Sequence, residues 1–195
     1  MTNKQNPAHR KALLALCLLP APSGKGVFLI GGGGGSSVSN GDMCVDQGLE
    51  VPQLSEETMK RLREAVPVAG SIAGNPLDSW RIFDDPDYLR EILGLAYADP
   101  NVSMVMIDRL VPRAAFHMTG DASLTPEVVD FVRQNRKPTV FTIDYEGGDT
   151  ELTARGTALR AEICRAGIPA YPSLKRAAWA LARLHAHHVH RSASS

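Results

Sequence analysis

The sequence predicts an α/β domain built on a parallel sheet, and three observations predict it. Short apolar runs of strand length alternate with longer helix-patterned segments from residue 27 to residue 188. The first unit runs from Val27-Phe28-Leu29-Ile30 through Gly31-Gly32-Gly33-Gly34-Gly35-Ser36-Ser37 into a helix-patterned stretch at 38–48. Turn and cap residues separate the units, with no internal repeat and no linker long enough to divide a core. Alternation of this kind calls for parallel strands with helices on both faces.

The elements follow in order. Residues 8–19 read as a leader helix and 20–24 as a loop. The first strand is 27–30. Ser39 or Asn40 is positioned to cap the helix that runs to Gln47, and Gly48 stops it. Leu49-Glu50-Val51-Pro52 reads as a short second strand. Ser55 caps the next helix, Glu56 and Glu57 suit its first turn, and Leu62 and Val66 mark its apolar side. Residues 71–78 read as a loop. Pro86 opens a helix with Leu89, Ile92, Leu93 and Ala96 at helical spacing. A buried strand spans 102–108. Thr125 is a cap and Pro126 the first helical position of a helix ending near Arg136. Strand 139–143, helix 152–165 closed by Gly167, strand 168–171 and a helix from Ser173 to about His188 complete the chain. The expected organisation is a leader at 1–25, one domain at 26–188 and a disordered tail at 189–195. Five strands with short connections suggest the flavodoxin-like order 2-1-3-4-5, doubly wound.

Composition narrows the function. Lys and Arg number 21, as do Asp and Glu, so no net field draws the chain to nucleic acid or to an anionic membrane. Cys17, Cys44 and Cys164 form neither a disulfide framework nor a zinc spacing, which suits a reducing cytoplasm. The apolar run at 12–19 is short, is broken by Pro20 and lacks a small-x-small cleavage site. It reads as a leader helix rather than a signal peptide. No segment approaches the roughly 18 apolar residues of a membrane span.

The glycine run is the candidate site. Successive glycines let a ligand approach the backbone, and a helix N-terminus offers unpaired N–H groups with partial positive charge. Together they suit an anion, most often phosphate. The dinucleotide pattern G-x-G-x-x-G fails, because Ser36 or Val38 stands where its third glycine belongs. Glu50 does stand where a ribose-binding acid would, so a nicotinamide- or flavin-binding oxidoreductase stays an alternative. The Walker pattern fails because no Lys-Ser/Thr follows the glycines. A plain surface turn is a further reading.

Other residues carry paired readings. His117, in the loop after a central strand, can reach the active edge or lie on the surface. Asp108 and Asp144 end parallel strands, which suits magnesium or substrate as well as capping of a neighbouring helix. Asp84, Asp85 and Asp87 read as acids at the start of a helix. His185, His187, His188 and His190 form either an adventitious metal cluster or a solvated helix end. Cys44 reads as a small buried apolar residue.

The glycine loop after Val27–Ile30, Gly48-Leu49-Glu50, Leu54-Ser55-Glu56-Glu57-Thr58, Asn75-Pro76-Leu77-Asp78, Asp99-Pro100-Asn101-Val102, Lys137-Pro138 and Gly167-Ile168-Pro169-Ala170-Tyr171-Pro172-Ser173 stand in one order. That order, over residues 8–188, resembles the second flavodoxin-like domain of the NDP-forming acyl-CoA synthetases, the group of ADP-forming acetate–CoA ligases and succinyl-CoA synthetases. The resemblance implies a component of an enzyme that converts acid, CoA and ATP to acyl-CoA, ADP and phosphate through a phosphohistidine. It implies that Gly32, Gly33, Gly34, Gly35, Ser36 and Ser37 cradle the phosphoryl group, and that Asn75 and Asp78 belong to the family's N-P-x-D loop. The family's phosphorylated histidine lies in another domain, and His117-Met118-Thr119-Gly120 echoes its surroundings only faintly. No catalytic residue is therefore assigned here, and the chain alone is not expected to turn over. CoA, ATP or ADP, and Mg are expected only in the full assembly, with CoA-binding, phosphohistidine and ATP-grasp subunits as partners; a homo-oligomer is compatible. A non-catalytic subunit that binds CoA or a nucleotide, or acts as a scaffold, is the alternative.

Overall fold

The structure, a computed structural model, describes residues 14–31, 34–66, 71–110, 124–144 and 150–193. Strands β1 (Val27–Gly31), β2 (Leu77–Asp78), β3 (Met104–Leu110), β4 (Thr139–Asp144) and β5 (Ala170–Tyr171) form one sheet in the order β2-β1-β3-β4-β5. Every neighbouring pair is parallel. This is the expected flavodoxin-like order 2-1-3-4-5. Residues 14–18 form helix α1. The other helices are α2 (Gly34–Asp46), α3 (Glu56–Ala65), α4 (Pro86–Ala98), α5 (Pro126–Gln134), α6 (Thr150–Arg165) and α7 (Leu174–Ala193), with a 3-10 turn at Trp80–Phe83.

Both faces of the sheet are covered, and side-chain alternation sorts the strands between them. Phe28, Ile30, Val105, Ile107, Phe141 and Ile143 pack with Leu62, Ile82, Leu89, Ile92, Val128 and Ile163, so α3 to α6 lie on one side. Val27, Leu29, Met104, Met106 and Val140 pack with Ala15, Cys44, Ala177, Leu181 and Leu184, so α1, α2 and α7 lie on the other. Three alanines of α7, Ala177, Ala178 and Ala180, are fully buried against the sheet.

Several boundaries follow the expected local chemistry. The Ser55 hydroxyl accepts the Thr58 N–H at the start of α3, and Thr125 accepts Val128 N–H at the start of α5 with Pro126 behind it. Asp85 caps α4 through the Tyr88 N–H at 2.9 Å. Gly48 and Gly167 close α2 and α6 at φ +82 and +89, a region that strains any residue with a Cβ.

Three expectations are corrected. Helix α2 begins at Gly34, inside the glycine run, so Ser39 and Asn40 lie within the helix and cap nothing. The Asn40 amide is instead committed to Asp108, a tertiary contact that overrides the poor helix propensity of glycine and serine. The second strand is not 49–52, which makes a single bridge between Gly26 and Glu50. It is Leu77–Asp78, in the stretch expected as a loop. The physical reason is the Asn75 side chain, which inserts between the two backbones. Its Nδ2 donates to Val27 O at 2.9 Å and Pro52 O at 3.0 Å, and its Oδ1 accepts Leu29 N–H at 3.0 Å. Finally, α7 continues to Ala193, into the segment expected as a disordered tail, with Ser192 Oγ donating to His188 O at 3.0 Å.

Candidate functional site

A parallel sheet puts all its strand carboxyl ends on one edge, where open α/β folds bind ligands. At that edge β1 ends at Gly31 and α2 starts at Gly34. Gly32 and Gly33 lie outside the described residues. The backbone of Gly34, Gly35, Ser36 and Ser37 forms the first turn of α2, whose N–H groups have no acceptor within a helix. No acidic residue stands in that turn, so the partial positive charge there is not offset by the helix's own sequence.

Asp78 reaches the same edge. It pairs in register with Gly31, and its successor Ser79 donates its N–H to Gly31 O at 2.9 Å. Ser79 is fully buried, with its hydroxyl 3.2 Å from the Tyr88 hydroxyl. Asp78 thus abuts the start of the glycine run. Asn75, three residues earlier, does not: it serves the amino half of β1.

Asp108 lies on β3, on the face that α2 covers. Its Oδ2 accepts Asn40 Nδ2 at 2.8 Å, and its Oδ1 accepts the hydroxyl of the fully buried Thr142 on β4. Burial pushes its carboxyl above the usual range and the nearby Asp144 adds to the rise, while the Thr142 and Asn40 hydrogen bonds oppose it. Asp108 does not end its strand, which runs on to Leu110, and it meets α2 through a side chain inside that helix rather than capping it. Asp144 ends β4 opposite Leu110.

His117 lies outside the described residues. Among the described residues, those of α7 included, no group of three or more His, Cys, Asp or Glu is placed to hold an ion. A groove of ≈ 550 Å³ between α5 and α6, floored by Val129, Leu159 and Ile163, contains none of the expected site residues.

Sequence reading missed Arg109. It is 2% exposed, one residue beyond Asp108 and on the opposite face of β3, with its guanidinium carbon 5.8 Å from the Phe83 ring centroid. Its signal was present, since an arginine inside an apolar strand run is rare unless its charge is used.

These features define a class: a flavodoxin-like α/β domain whose first strand passes through a glycine run into a helix, leaving an anion-suited helix terminus at the sheet's carboxyl edge. The family model described as the ligase-CoA domain matches residues 27–193, and the chain belongs to that family. Subunit alpha of an ADP-forming acetate–CoA ligase II from Pyrococcus furiosus is 31% identical over 96 residues, which is 49% of this chain and 21% of that one. A solved protein of Pyrococcus horikoshii OT3 is 25% identical with a TM-score of 0.70, over 93% of this chain and 40% of its own. The dinucleotide-forming acetyl-coenzyme A synthetase 1 of Ca. Korarchaeum cryptofilum, solved with phosphate and ADP, shares the fold at a TM-score of 0.74 and 23% identity, over 97% of this chain and 38% of its own. The chain therefore spans about two fifths of the length of these solved relatives. No helix among the described residues is long and apolar enough to cross a membrane.

Proposed function

We propose that this chain is a component of an NDP-forming acyl-CoA synthetase, the cytoplasmic enzyme type that joins an acid to CoA at the expense of ATP. Its working unit is the domain at 26–188. The observation that carries the reading is the start of α2 inside the glycine run at the carboxyl end of β1, in a chain of the ligase-CoA family. Backbone N–H groups from Gly32 to Ser37 would hold the transferring phosphoryl group. They act by preorganised electrostatics, facing charge that develops on the phosphoryl oxygens, and they neither donate nor accept a proton. Asp78 lines the same edge, and Asn75 holds the strand that leads to it.

The nucleophilic histidine, CoA, the nucleotide and Mg belong in this reading to partner subunits of the CoA-binding and ATP-grasp kinds. The chain alone should form no acyl-CoA, and mixing it with those subunits should restore formation. Gly34→Val and Ser36→Leu should then abolish phosphoryl transfer in the assembly while the circular dichroism spectrum is unchanged. Turnover by the isolated chain, or full turnover by the Gly34→Val assembly, would overturn the reading.

A further inference from the structure

The first half of α2 is a poor helix by its own sequence. Gly34-Gly35-Ser36-Ser37 opens it, and Ser39, Asn40 and Gly41 follow. These are weak helix formers, so a contact from outside must hold the segment. Cys44 is fully buried in the second half, whereas Ser39 and Asp42 are exposed. Between residues 39 and 43 the buried residue is Asn40, a polar one. Asn40 and Cys44 are four apart and share a helix face, one turn from each other. The turn nearer the glycines is thus attached through the Asn40 amide, 2.8 Å from Asp108 Oδ2.

Asp108 is itself held from behind, because Thr142 of β4 donates to its other oxygen. It also flanks the strand before the glycines: a Cβ placed on Gly31 would lie 3.6 Å from the Asp108 Cβ. One side chain therefore borders β1 on the near side of the glycine run and grips α2 on the far side. A hydrogen bond to a carboxylate is directional and among the stronger ones, so it restrains a helix's rotation more narrowly than a single non-directional methyl contact.

We propose that Asp108 and Asn40 are positioning residues for the phosphoryl site: their hydrogen bond sets the rotation and distance of α2 against β3, and so the aim of the first-turn N–H groups. This rests on the phosphoryl-holding reading above. Neither residue touches the phosphoryl group.

The test is a titration of the full chain with inorganic phosphate, followed by amide resonances of Gly34, Gly35, Ser36 and Ser37 in two-dimensional NMR. The native chain should show saturable shifts. Asn40→Leu and Asp108→Leu should each weaken phosphate binding about tenfold, the factor set by one hydrogen bond to a charged partner, with the β3 and β4 resonances in place. Exchanging the partners, Asn40→Asp together with Asp108→Asn, rebuilds the pair with donor and acceptor reversed. It should recover most of the affinity that either leucine variant loses. Native affinity in folded Asn40→Leu overturns the proposal, as does an exchanged pair that is folded yet binds no better than the leucine variants. Should the leucine variants not fold, the exchanged pair against Asn40→Asp alone decides: equal affinities sink the proposal. A native chain without shifts overturns the phosphoryl reading and this inference with it, and that outcome is distinguished by arising before any substitution.

Discussion

The ammonium group of Lys137 donates a hydrogen bond to the backbone carbonyl of Asp99 at 2.6 Å, and a second to Ala96 O at 3.3 Å. The two carbonyls close α4, whose last turn has no basic residue of its own. A side chain just before β4 thus caps a helix that ends before β3 begins. Lys137→Met keeps the stem and removes the donors. It should cost about 1–3 kcal/mol, or roughly 5 °C in Tm, measured by thermal melting at neutral pH.

The carboxylate of Asp99 gathers a different set of donors. Ser55 N–H and Asn101 N–H each reach it at 2.8 Å, tying α3's cap to the turn before β3. Burial pushes the carboxyl up, but hydrogen bonds from Thr58, Ser55 and Asn101 outweigh it and hold the group below the usual carboxylate range. A lowered folded-state pKa contributes stability above the unfolded value of about 3.9 that is lost as pH falls through the folded value. Urea unfolding of Asp99→Asn should therefore show a loss of about 1–3 kcal/mol at pH 7 that shrinks below pH 4. A constant gap across that range would refute the assignment.

Asn75→Ala removes three hydrogen bonds to backbone groups at once, on Val27, Leu29 and Pro52. Each buried group left without a partner costs about 1–3 kcal/mol. The variant should lose at least about 3 kcal/mol in urea unfolding, and Asn75→Asp should fare little better, because a carboxylate cannot donate to the two carbonyls. A loss under about 1 kcal/mol would mean that the side chain does not hold β1.

Cys44 should be unreactive in the native state. Burial pushes its thiol up to about 12, with the charge on Asp108 adding to the rise. A thiol reagent at pH 8 should modify the exposed Cys17 at once and Cys44 only on addition of denaturant. Prompt modification of Cys44 without denaturant would contradict its burial between α2 and the sheet.

The architecture was legible because it is written in long-range alternation. Each of β1, β3 and β4 is built around a short apolar stretch, although β3 spans 104–110 and carries Asp108 and Arg109 where the sequence suggests 102–108, and Ser55, Thr125, Gly48 and Gly167 mark helix ends by chemistry that acts within a few residues. The errors fall where a distant contact decides. Leu49-Glu50-Val51-Pro52 has the composition of an edge strand, yet its place beside β1 is taken by an amide 23 residues further on. The polar contact on α2 comes from Asp108, 68 residues from Asn40, and no local pattern in a glycine-serine run announces it. Of the candidate site, Asp78 and the glycines are expectations from motif order, and the structure adds that Asp78 pairs in register with Gly31. The pairing of Asp108 with Asn40, and the burial of Arg109, required the register of β3.

The outer side of β1 has a further consequence. Its polar groups are met in turn by Glu50 O on Val27 N–H at 2.8 Å, by the Asn75 amide on Val27 O and Leu29 N–H, and by Ser79 N–H on Gly31 O. A strand of this length flanked only by a two-residue neighbour would otherwise present a bare template on which another chain could add itself. Here a loop, a side chain and a turn occupy that row between them. Asn75, besides stabilising the native state, should therefore also guard the protein against self-association on this side of the sheet.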